Sequence, residues 1–213
     1  MQEKKQTVDR YFYEMKLWGE KYRRVMGLDE VGRGCLCGPV VAAGVILKPG
    51  STLDTRIADS KTIKESVRKE LSEYIKQNAL FWTVQSSSVK EIDKLNILHA
   101  SLKAMNRCAD ADGANPDFLL VDGNRYTDSL TPHTCIVKGD DRSATIAAAS
   151  ILAKVYRDDY MKQLHKEYPF FGWNKNVGYP TKEHFKGLEE NGYTIHHRRS
   201  FRLRTDQPYK RAD

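Results

Sequence analysis

The chain has 213 residues, 40% hydrophobic and 30% charged, a composition that excludes wholesale disorder and fits one domain with at most a small appendage. Lysine and arginine (35) outnumber aspartate and glutamate (28), a surplus that indicates a polyanionic partner only weakly. No apolar run reaches the roughly 18 residues of a membrane span, and residues 1–24 contain no apolar targeting core. We therefore expect a cytoplasmic protein that does not contact a membrane, with the scattered Cys35, Cys37, Cys108 and Cys135 reduced and not bound to zinc.

Predicted strands alternate with predicted helices along the chain. The charged and aromatic residues 1–24 predict a short helix or arm against the body. Runs of apolar and β-branched residues predict strands at 25–28, 40–47, 80–89, 118–121 and 135–137. Apolar residues at three- and four-residue steps predict helices at 64–77, 92–105, 143–166 and 181–189. This alternation predicts an α/β protein with a mixed sheet.

Three of these predicted strands are followed by acidic residues, namely Asp29-Glu30, Asp122 and Asp140. Acids at corresponding ends of neighbouring strands would converge in space. Crowded carboxylates repel one another and are costly to desolvate, so such a cluster is tolerable mainly when cations bind to it. Carboxylate oxygens suit Mg²⁺ or Mn²⁺. Each acid taken singly is more often a turn residue or a helix cap, and the residues alone indicate a possible two-metal phosphoryl-transfer site.

A resemblance to a known family begins at the first acidic pair. The segment GLDEVGRGCLCGPVVAAGVIL (27–47) resembles the signature of ribonuclease HII, the type 2 ribonuclease H. Further motifs of that family follow in the same order, and the resemblance spans residues 25–201. These motifs are Asp59-Ser60-Lys61, Val121-Asp122-Gly123, Lys138-Gly139-Asp140, the helix AAASILAKVYRD, the segment Gly178–His184 and the segment Ile195–Phe201.

The resemblance implies an RNase H-like fold, with a central mixed five-stranded sheet flanked by helices and a helical C-terminal segment that binds substrate. It divides the chain into an N-terminal arm (1–24), a catalytic domain (25–201) and a basic tail (202–213). The implied enzyme is a monomeric endonuclease that cuts the RNA strand of RNA/DNA hybrids and nicks duplex DNA 5′ of single embedded ribonucleotides. Two Mg²⁺ or Mn²⁺ ions would support the hydrolysis, which leaves a 5′-phosphate and a 3′-hydroxyl.

The resemblance also implies roles for individual residues. The catalytic and metal-binding set is Asp29, Glu30, Asp122 and Asp140. The turn formed by Gly32, Arg33 and Gly34 would read the 2′-hydroxyl at an RNA–DNA junction, because glycines allow the backbone to approach the sugar closely. Tyr179 would stack on the sugar beside the junction, and Lys61 would contact a backbone phosphate.

The chain departs from the family pattern at a few positions. Val31, Cys35 and Cys37 replace the usual Ala, Pro and Ala, changes that we expect to alter packing and to leave the chemistry unchanged. Pro180 replaces a glycine after Tyr179, which fixes one backbone angle and removes one N–H. Asp141 adds an acid after Asp140, and we expect it to cap the following helix.

Other charged and aromatic groups permit more than one interpretation. Asp158 and Asp159 are expected on a solvated helix face or in a salt bridge with Arg157. Phe170, Phe171 and Trp173 could stack on bases, but we expect them in core or lid packing. The basic residues near the C-terminus would form a phosphate-binding strip or a soluble tail, and we favour binding; they are Arg198, Arg199, Arg202 and Arg204. The spacing of the histidines does not predict a metal site; they are His165, His184, His196 and His197.

Three alternative functions stay open on the sequence. Ribonuclease HIII shares the fold but carries an additional N-terminal domain, which the 24 residues before the first predicted strand do not provide. A resolvase- or transposase-like nuclease would also use clustered acids but would not account for the Gly32-Arg33-Gly34 turn or the segment Gly178–His184. A non-catalytic nucleic-acid-binding module would need none of the four acids.

Overall fold

A computed structural model describes residues 10–59, 63–127 and 129–201 of the protein. The strands are Val25–Val31 (β1), Val40–Ile46 (β2), Phe81–Ser87 (β3), Phe118–Asp122 (β4) and His133–Ile136 (β5). The helices are Phe12–Gly19 (α1), Glu65–Asn78 (α2), Val89–Leu95 (α3), Ile97–Ala109 (α4), Ala144–Glu167 (α5), Trp173–Asn176 (α6) and Lys182–Asn191 (α7). None of the described helices combines the length and the apolar composition needed to cross a membrane.

The strands form a five-stranded sheet in the order β3-β2-β1-β4-β5. Antiparallel pairing joins β1 to β2 and β2 to β3, whereas β1, β4 and β5 run parallel to one another. This arrangement confirms the predicted mixed sheet flanked by helices. Because β1, β4 and β5 are parallel, the acids that were predicted to follow them come to the same edge of the sheet.

The central strands are buried on both faces of the sheet. Successive side chains of a strand point to opposite faces, so one strand contributes to two cores. Val41, Ala43 and Val45 of β2 pack in a core with α2 and α5. Ala42 and Ile46 of the same strand point the other way, into a core with α4. The first half of α5 is buried almost all round, as its small apolar sequence predicted.

A helix predicted over residues 92–105 is wrong as a single element, because the chain forms α3 and α4 with a sharp turn between them. The turn is at Asn96, whose φ angle is 67°. Asparagine tolerates this left-handed region better than most residues, and its side chain can also bond to the backbone. The side-chain oxygen of Asn96 accepts hydrogen bonds from the backbone N–H groups of Leu98 and His99, and it thereby caps α4.

The helical C-terminal segment packs around an aromatic cluster. Phe171 and Trp173 are buried and stacked, with ring centroids 4.8 Å apart, so the expectation of core packing is confirmed for these two. Phe170 is 58% exposed and does not belong to this core. Backbone hydrogen bonds tie this segment to the loop after β1: Leu36 N–H donates to the carbonyl of Gly178 (2.8 Å), and Arg198 N–H donates to the carbonyl of Leu36 (2.9 Å). The segment therefore sits beside the glycine-rich turn.

Candidate active site

Four carboxyl groups meet at the edge of the sheet where β1, β4 and β5 end. Asp29 and Glu30 lie near the end of β1, and Asp122 is the last residue of β4. The register places Leu28 opposite Val121, so Asp29 and Asp122 follow paired residues on adjacent strands. Asp140 lies in a short 3-10 turn, Gly139–Asp141, beyond β5.

The electrostatics of Asp29 show how closely these acids approach one another. Asp29 is 7% exposed, and its burial raises the pKa of the carboxyl well above the ordinary value. The negative charges of Glu30, Asp122 and Asp140 raise that pKa further, because each disfavours a second charge nearby. A hydrogen bond from Ser150 acts in the opposite direction. The structure therefore brings together all four acids that the sequence predicted.

Ser150 is a site residue that sequence reasoning missed. It lies on α5 within a run of otherwise apolar residues and hydrogen-bonds to Asp29. The sequence contains one signal for it, since Ser150 is the single hydroxyl in the run from Ala147 to Ala153. Glu30 N–H also donates to Asp29 Oδ1 (2.7 Å), so the Asp29 carboxylate is oriented from two sides.

Arg33 folds back onto the acids. Its Nη1 lies 2.9 Å from Oε1 of Glu30. Burial raises the pKa of Glu30, whereas the adjacent guanidinium lowers it. The arginine of the glycine-rich turn therefore contacts the acidic cluster directly, and the turn and the cluster form one continuous site.

Backbone geometry at the end of β5 directs the other two acids. Gly139 N–H donates to Oδ1 of Asp122 (2.6 Å). A Cβ atom at position 139 would come within 2.6 Å of Ile146 Cδ1 and 3.2 Å of that same carboxylate oxygen, so a larger residue there would require both side chains to shift. Asp140 is 6% exposed. The expectation that Asp141 caps α5 is wrong, because Ser143 is the N-cap and accepts from the backbone N–H of Ile146 (3.2 Å).

An open cavity of about 300 Å³ adjoins the acids. Glu30, Arg33, Asp122 and Arg125 line it. One face of α4 also contributes to the lining, with Leu98, Ser101, Leu102 and Met105. The cavity offers space for a phosphate-bearing chain next to the carboxylates, with two guanidinium groups in reach of it.

Two buried arginines hold the glycine-rich turn from beneath. Arg198 donates to the carbonyls of Gly32 (2.7 Å), Arg33 (3.0 Å) and Gly38 (3.0 Å). Arg157 donates to the carbonyls of Pro39, Cys37 and Val177, the last being two residues before Tyr179. Gly32 has φ +93°, and a Cβ there would collide with the Arg157 side chain. Arg198 thus fixes the backbone of the turn, and Arg157 fixes the segment that follows the turn.

These contacts correct two expectations about charged residues. Arg198 is 2% exposed, so it is a structural residue and not part of a phosphate-binding strip. Arg157 does not pair with the acids that follow it. Asp158 is buried and pairs with Lys154 (2.6 Å) and Arg68 (3.7 Å). Asp159 is exposed, as the solvated-face alternative predicted, and pairs with Lys69 (2.7 Å). Arg202 and Arg204 lie outside the described residues.

Tyr179 lies against the glycine-rich turn. A Cβ atom on Gly34 would be 3.8 Å from Cε1 of its ring, and its hydroxyl hydrogen-bonds to the Cys35 thiol. Pro180 lies in a tight turn in which Thr181 N–H donates to the carbonyl of Tyr179 (2.9 Å), and this turn needs no N–H at position 180. The two predicted sugar-binding features are therefore adjacent. Lys61, the predicted phosphate contact, lies outside the described residues.

A buried group behind Tyr179 has the composition of a metal site. Ligand atoms of Cys37, His184 and His197 lie within 4.8 Å of one another, although the histidine spacing in sequence did not predict this. Nδ1 of His184 faces the carbonyl of Tyr179 (3.0 Å), so it carries the hydrogen. Its Nε2 then accepts from Trp173 Nε1 (3.1 Å) and faces Nε2 of His197 (3.1 Å).

The hydrogen bonds of His197 complete a network that needs no metal. Its Nδ1 accepts from the backbone N–H of Thr194 (2.9 Å), so its Nε2 carries the hydrogen and donates to His184. Burial lowers the pKa of His197 to about 3, which keeps the ring neutral. A metal would have to displace both this hydrogen and the one from Trp173. The two histidines therefore act as packing residues that support Tyr179.

Comparison with known proteins identifies the family. The model of the ribonuclease HII family matches residues 26–204. The chain is 48% identical to ribonuclease HII of Salinibacter ruber over 198 residues, which cover 91% of this chain and 98% of that protein. It is 51% identical to ribonuclease HII of Bacteroides thetaiotaomicron over 181 residues, covering 84% and 90%.

Solved structures show the same fold. A chain of the PCNA:RNase HII complex from Archaeoglobus fulgidus has a TM-score of 0.70 at 24% identity, covering 86% of this chain and 98% of that one. Ribonuclease H2 from Pyrococcus horikoshii has a TM-score of 0.67 at 22% identity, covering 83% and 93%. These similarities confirm the predicted fold class, and the sequence relatives distinguish ribonuclease HII from the alternatives that the sequence left open.

Proposed function

The chain belongs to the ribonuclease HII family and is a type 2 ribonuclease H, and we propose that it nicks duplex DNA 5′ of single embedded ribonucleotides as well as cutting RNA/DNA hybrids. The products would carry a 5′-phosphate and a 3′-hydroxyl. The observation that supports this proposal is the contact between Arg33 and Glu30, which joins the glycine-rich turn to the acidic cluster. We further propose that the enzyme acts as a monomer in the cytoplasm, with the division into arm, catalytic domain and tail given above.

The acidic cluster fits a pair of divalent cations. Burial and like charge both raise the pKa of Asp29. A bound cation would lower this pKa again, because a nearby positive charge favours the ionised carboxylate. The donors are carboxylate oxygens, the ligands that Mg²⁺ and Mn²⁺ prefer. Asp29, Glu30, Asp122 and Asp140 would hold the ions, which activate water and stabilise the leaving 3′-oxygen when bound. Ser150 would keep Asp29 oriented for this task.

The glycine-rich turn would recognise the ribonucleotide. Gly32 and Gly34 have no side chains, so the sugar can approach the backbone of the turn that Arg198 holds in place. The 2′-hydroxyl is the group that distinguishes RNA from DNA, and backbone groups can bind it as donor or acceptor. Recognition of this kind leaves the 2′-hydroxyl out of the reaction itself.

The ring of Tyr179 would contact the next sugar. It is 41% exposed and packs over Gly34, so one part of the ring is available to a ligand. A flat ring accepts the face of a deoxyribose more readily than a sugar with an added hydroxyl. Together the turn and the ring would select a ribonucleotide followed by a deoxyribonucleotide. Lys61 would add a phosphate contact.

A cleavage assay tests this function. The substrates are a DNA duplex with one ribonucleotide, the same duplex without it, and a long RNA/DNA hybrid, each with Mg²⁺, with Mn²⁺ and with chelator. We expect metal-dependent nicking 5′ of the ribonucleotide, reduced at least about a hundredfold in Asp122→Asn. Asp159→Asn, which removes an exposed acid paired with Lys69, is the matched control and should cut normally.

Each contrary result removes a different part of the proposal. Cleavage of the hybrid alone would exclude the roles of the turn and Tyr179 in junction recognition. A 2′,3′-cyclic phosphate product would exclude the metal-supported hydrolysis, because the 2′-hydroxyl would then be the nucleophile. Full activity with chelator present would exclude the ions.

A further inference from the structure

Glu14 is a fully buried acid on α1 that the proposed mechanism does not use. Its exposed fraction is 0%. Oε1 of Glu14 accepts three hydrogen bonds, from Ser143 Oγ (2.6 Å), Thr145 N (2.9 Å) and Thr145 Oγ1 (2.8 Å). Within the described part of the chain, no lysine or arginine forms an ion pair with it. A buried carboxyl group is costly unless hydrogen bonds compensate. All of these hydrogen bonds come from one short segment and go to Oε1, whereas Oε2 is buried without a hydrogen-bond partner among the described residues.

That segment is the N-cap and first turn of α5, and it begins three residues after Asp140. Ser143 is the N-cap and Thr145 the second helical residue, whose backbone N–H has no partner within the helix. A carboxyl group is favourable at this end because the helix dipole is positive there. Glu14 thus connects α1 to the start of the helix that begins four residues after Asp140, an acid of the active site.

A second contact between the N-terminal arm and the acid strengthens this connection. The side chain of Arg10 donates to the backbone carbonyl of Asp140 (3.0 Å). The backbone carbonyl of Arg10 in turn accepts from the N–H of Ala144 (2.9 Å). Residues 140–145 are therefore held at both ends by residues 10–14.

The same turn of α5 is in close contact with β1 next to Asp29. A Cβ atom on Gly27 would collide with the backbone of Thr145 and Ile146. Gly27 lies two residues before Asp29 on β1, so the backbone of Thr145 is fixed relative to that acid as well. Because close-packed interiors transmit displacements, moving Thr145 would change the separation of Asp140 and Asp29.

We propose that Glu14 is a positioning residue, which sets the separation of Asp140 and Asp29 through Ser143 and Thr145 and thereby the affinity of the acidic cluster for divalent cations. This proposal rests on the proposed function, since it requires the four acids to bind metal. It gives α1 a role in activity, although none of its residues would contact substrate or metal.

Mn²⁺ binding to the full-length protein without nucleic acid tests the proposal, with free Mn²⁺ followed by electron paramagnetic resonance well below the unfolding temperature. Glu14→Ala should weaken Mn²⁺ binding about tenfold, as loss of an outer partner of metal ligands does. Half-maximal cleavage should need about tenfold more metal, whereas KM for substrate at saturating metal should stay unchanged. Glu14→Gln keeps an oxygen toward Thr145 and should restore binding to within about threefold.

Glu20→Ala is the matched control, because Glu20 follows the same helix but is exposed and pairs only with Lys16 among the described residues. It should bind Mn²⁺ as the wild type does. Thr145→Val removes a hydroxyl donor at nearly constant volume, so it should weaken binding in the same direction even if Glu14→Ala does not fold. Combined with Glu14→Ala in a folded protein, it should add little further loss, since both act through one contact.

The outcomes distinguish this proposal from the proposed function. If folded Glu14→Ala and Thr145→Val both bind Mn²⁺ as the wild type does, the positioning role is excluded while the metal site stands. A lower unfolding temperature with unchanged Mn²⁺ affinity would show a merely structural role and would likewise overturn the proposal. If the wild type itself binds no Mn²⁺, the proposed function fails, and the positioning role fails with it.

Discussion

The acidic edge of the sheet and the glycine-rich turn beside it solve opposite electrostatic problems. At the acidic edge, buried carboxyl groups crowd together, and the pKa of Asp29 rises because burial and like charge both disfavour its ionised form. Beneath the turn, the guanidinium groups of Arg157 and Arg198 are buried but donate to six backbone carbonyls. A bound cation would therefore stabilise the acidic edge, whereas the turn is held in its shape without a ligand.

This difference has a consequence for stability. Neutralising a residue that carries an unfavourable charge for function should leave the free energy of unfolding unchanged or raise it. Replacing a residue that donates to buried backbone carbonyls should lower the free energy of unfolding, because each carbonyl would be left without a hydrogen-bond partner. The two regions can thus be separated by measuring activity and stability on the same variants.

The largest effect is expected for Asp29→Asn. This change keeps the shape and the oxygen that accepts from Glu30 N–H, but it removes one buried charge from the cluster. We expect cleavage to fall at least about a hundredfold, since a preorganised charge at the reaction centre is lost. The unfolding temperature should stay the same or rise, because like-charge repulsion and desolvation are relieved.

Cleavage rates and thermal unfolding without added metal, measured on the same preparation, check this prediction. Asp159→Asn again serves as the control and should leave the activity unchanged. A fall in the unfolding temperature of several degrees in Asp29→Asn would contradict the view that the acidic edge is destabilised for function.

The second prediction concerns the arginine beneath the turn. Arg198→Met removes the donors to the carbonyls of Gly32, Arg33 and Gly38 and should lower the free energy of unfolding by about 3 kcal/mol. Arg198→Lys keeps the charge but cannot reproduce the planar arrangement of donors. Its free energy of unfolding should therefore lie between those of the wild type and Arg198→Met. In both variants the ratio of kcat/KM for a single ribonucleotide to that for a long hybrid should decrease, because the turn loses its fixed shape.

The neighbouring arginine provides the control. Arg199 stacks on the ring of Tyr193, with 5.0 Å from the guanidinium carbon to the ring centroid, and its side chain is exposed. Arg199→Met should therefore cost no more than about 1 kcal/mol and leave the substrate ratio unchanged. Chemical denaturation and steady-state kinetics give both quantities. An Arg198→Met enzyme that is folded and keeps the wild-type ratio would show that the turn does not depend on this residue.

What the sequence could predict follows the same division. The acids are placed by local features, since each follows an apolar strand, and the sheet then brings them together; their roles and those of the turn were suggested by the family resemblance. The partners that complete the site were not predictable, because Arg198 meets Gly32 across 166 positions and Glu14 meets Thr145 across 131. Their contacts depend on the tertiary fold. In the sequence alone, a buried arginine within a basic C-terminal segment cannot be distinguished from a phosphate ligand.

The break at Asn96 shows a different limit. Apolar residues continue at helical spacing across the junction of α3 and α4, so periodicity indicates one helix. The interruption depends on a single residue that adopts a positive φ and caps the next helix with its side chain. Local capping chemistry decides between one helix and two here, and the apolar pattern does not contain that information.

The third prediction concerns the response to acid of the histidine network behind Tyr179. His197 has a pKa of about 3 in the folded protein, against an ordinary value of 6.5. Above pH 6.5 the ring is neutral in both states and its ionisation does not affect stability. Below that pH the unfolded chain gains a proton that the folded protein does not, so stability falls as the pH decreases from about 6.5 toward 3. The slope for one such group is about 1.4 kcal/mol per pH unit.

Urea unfolding at a series of pH values for the wild type, His197→Gln and His133→Gln isolates this contribution, since His133 is exposed on β5. The slope between pH 6.5 and 4 should be smaller in His197→Gln than in the wild type and unchanged in His133→Gln. Equal slopes in all three proteins would mean that His197 is not held neutral by its surroundings. The network that supports Tyr179 would then tolerate a buried charge, as the acidic edge does. The contrast between the acidic edge and the glycine-rich turn would in that case not extend to the C-terminal segment.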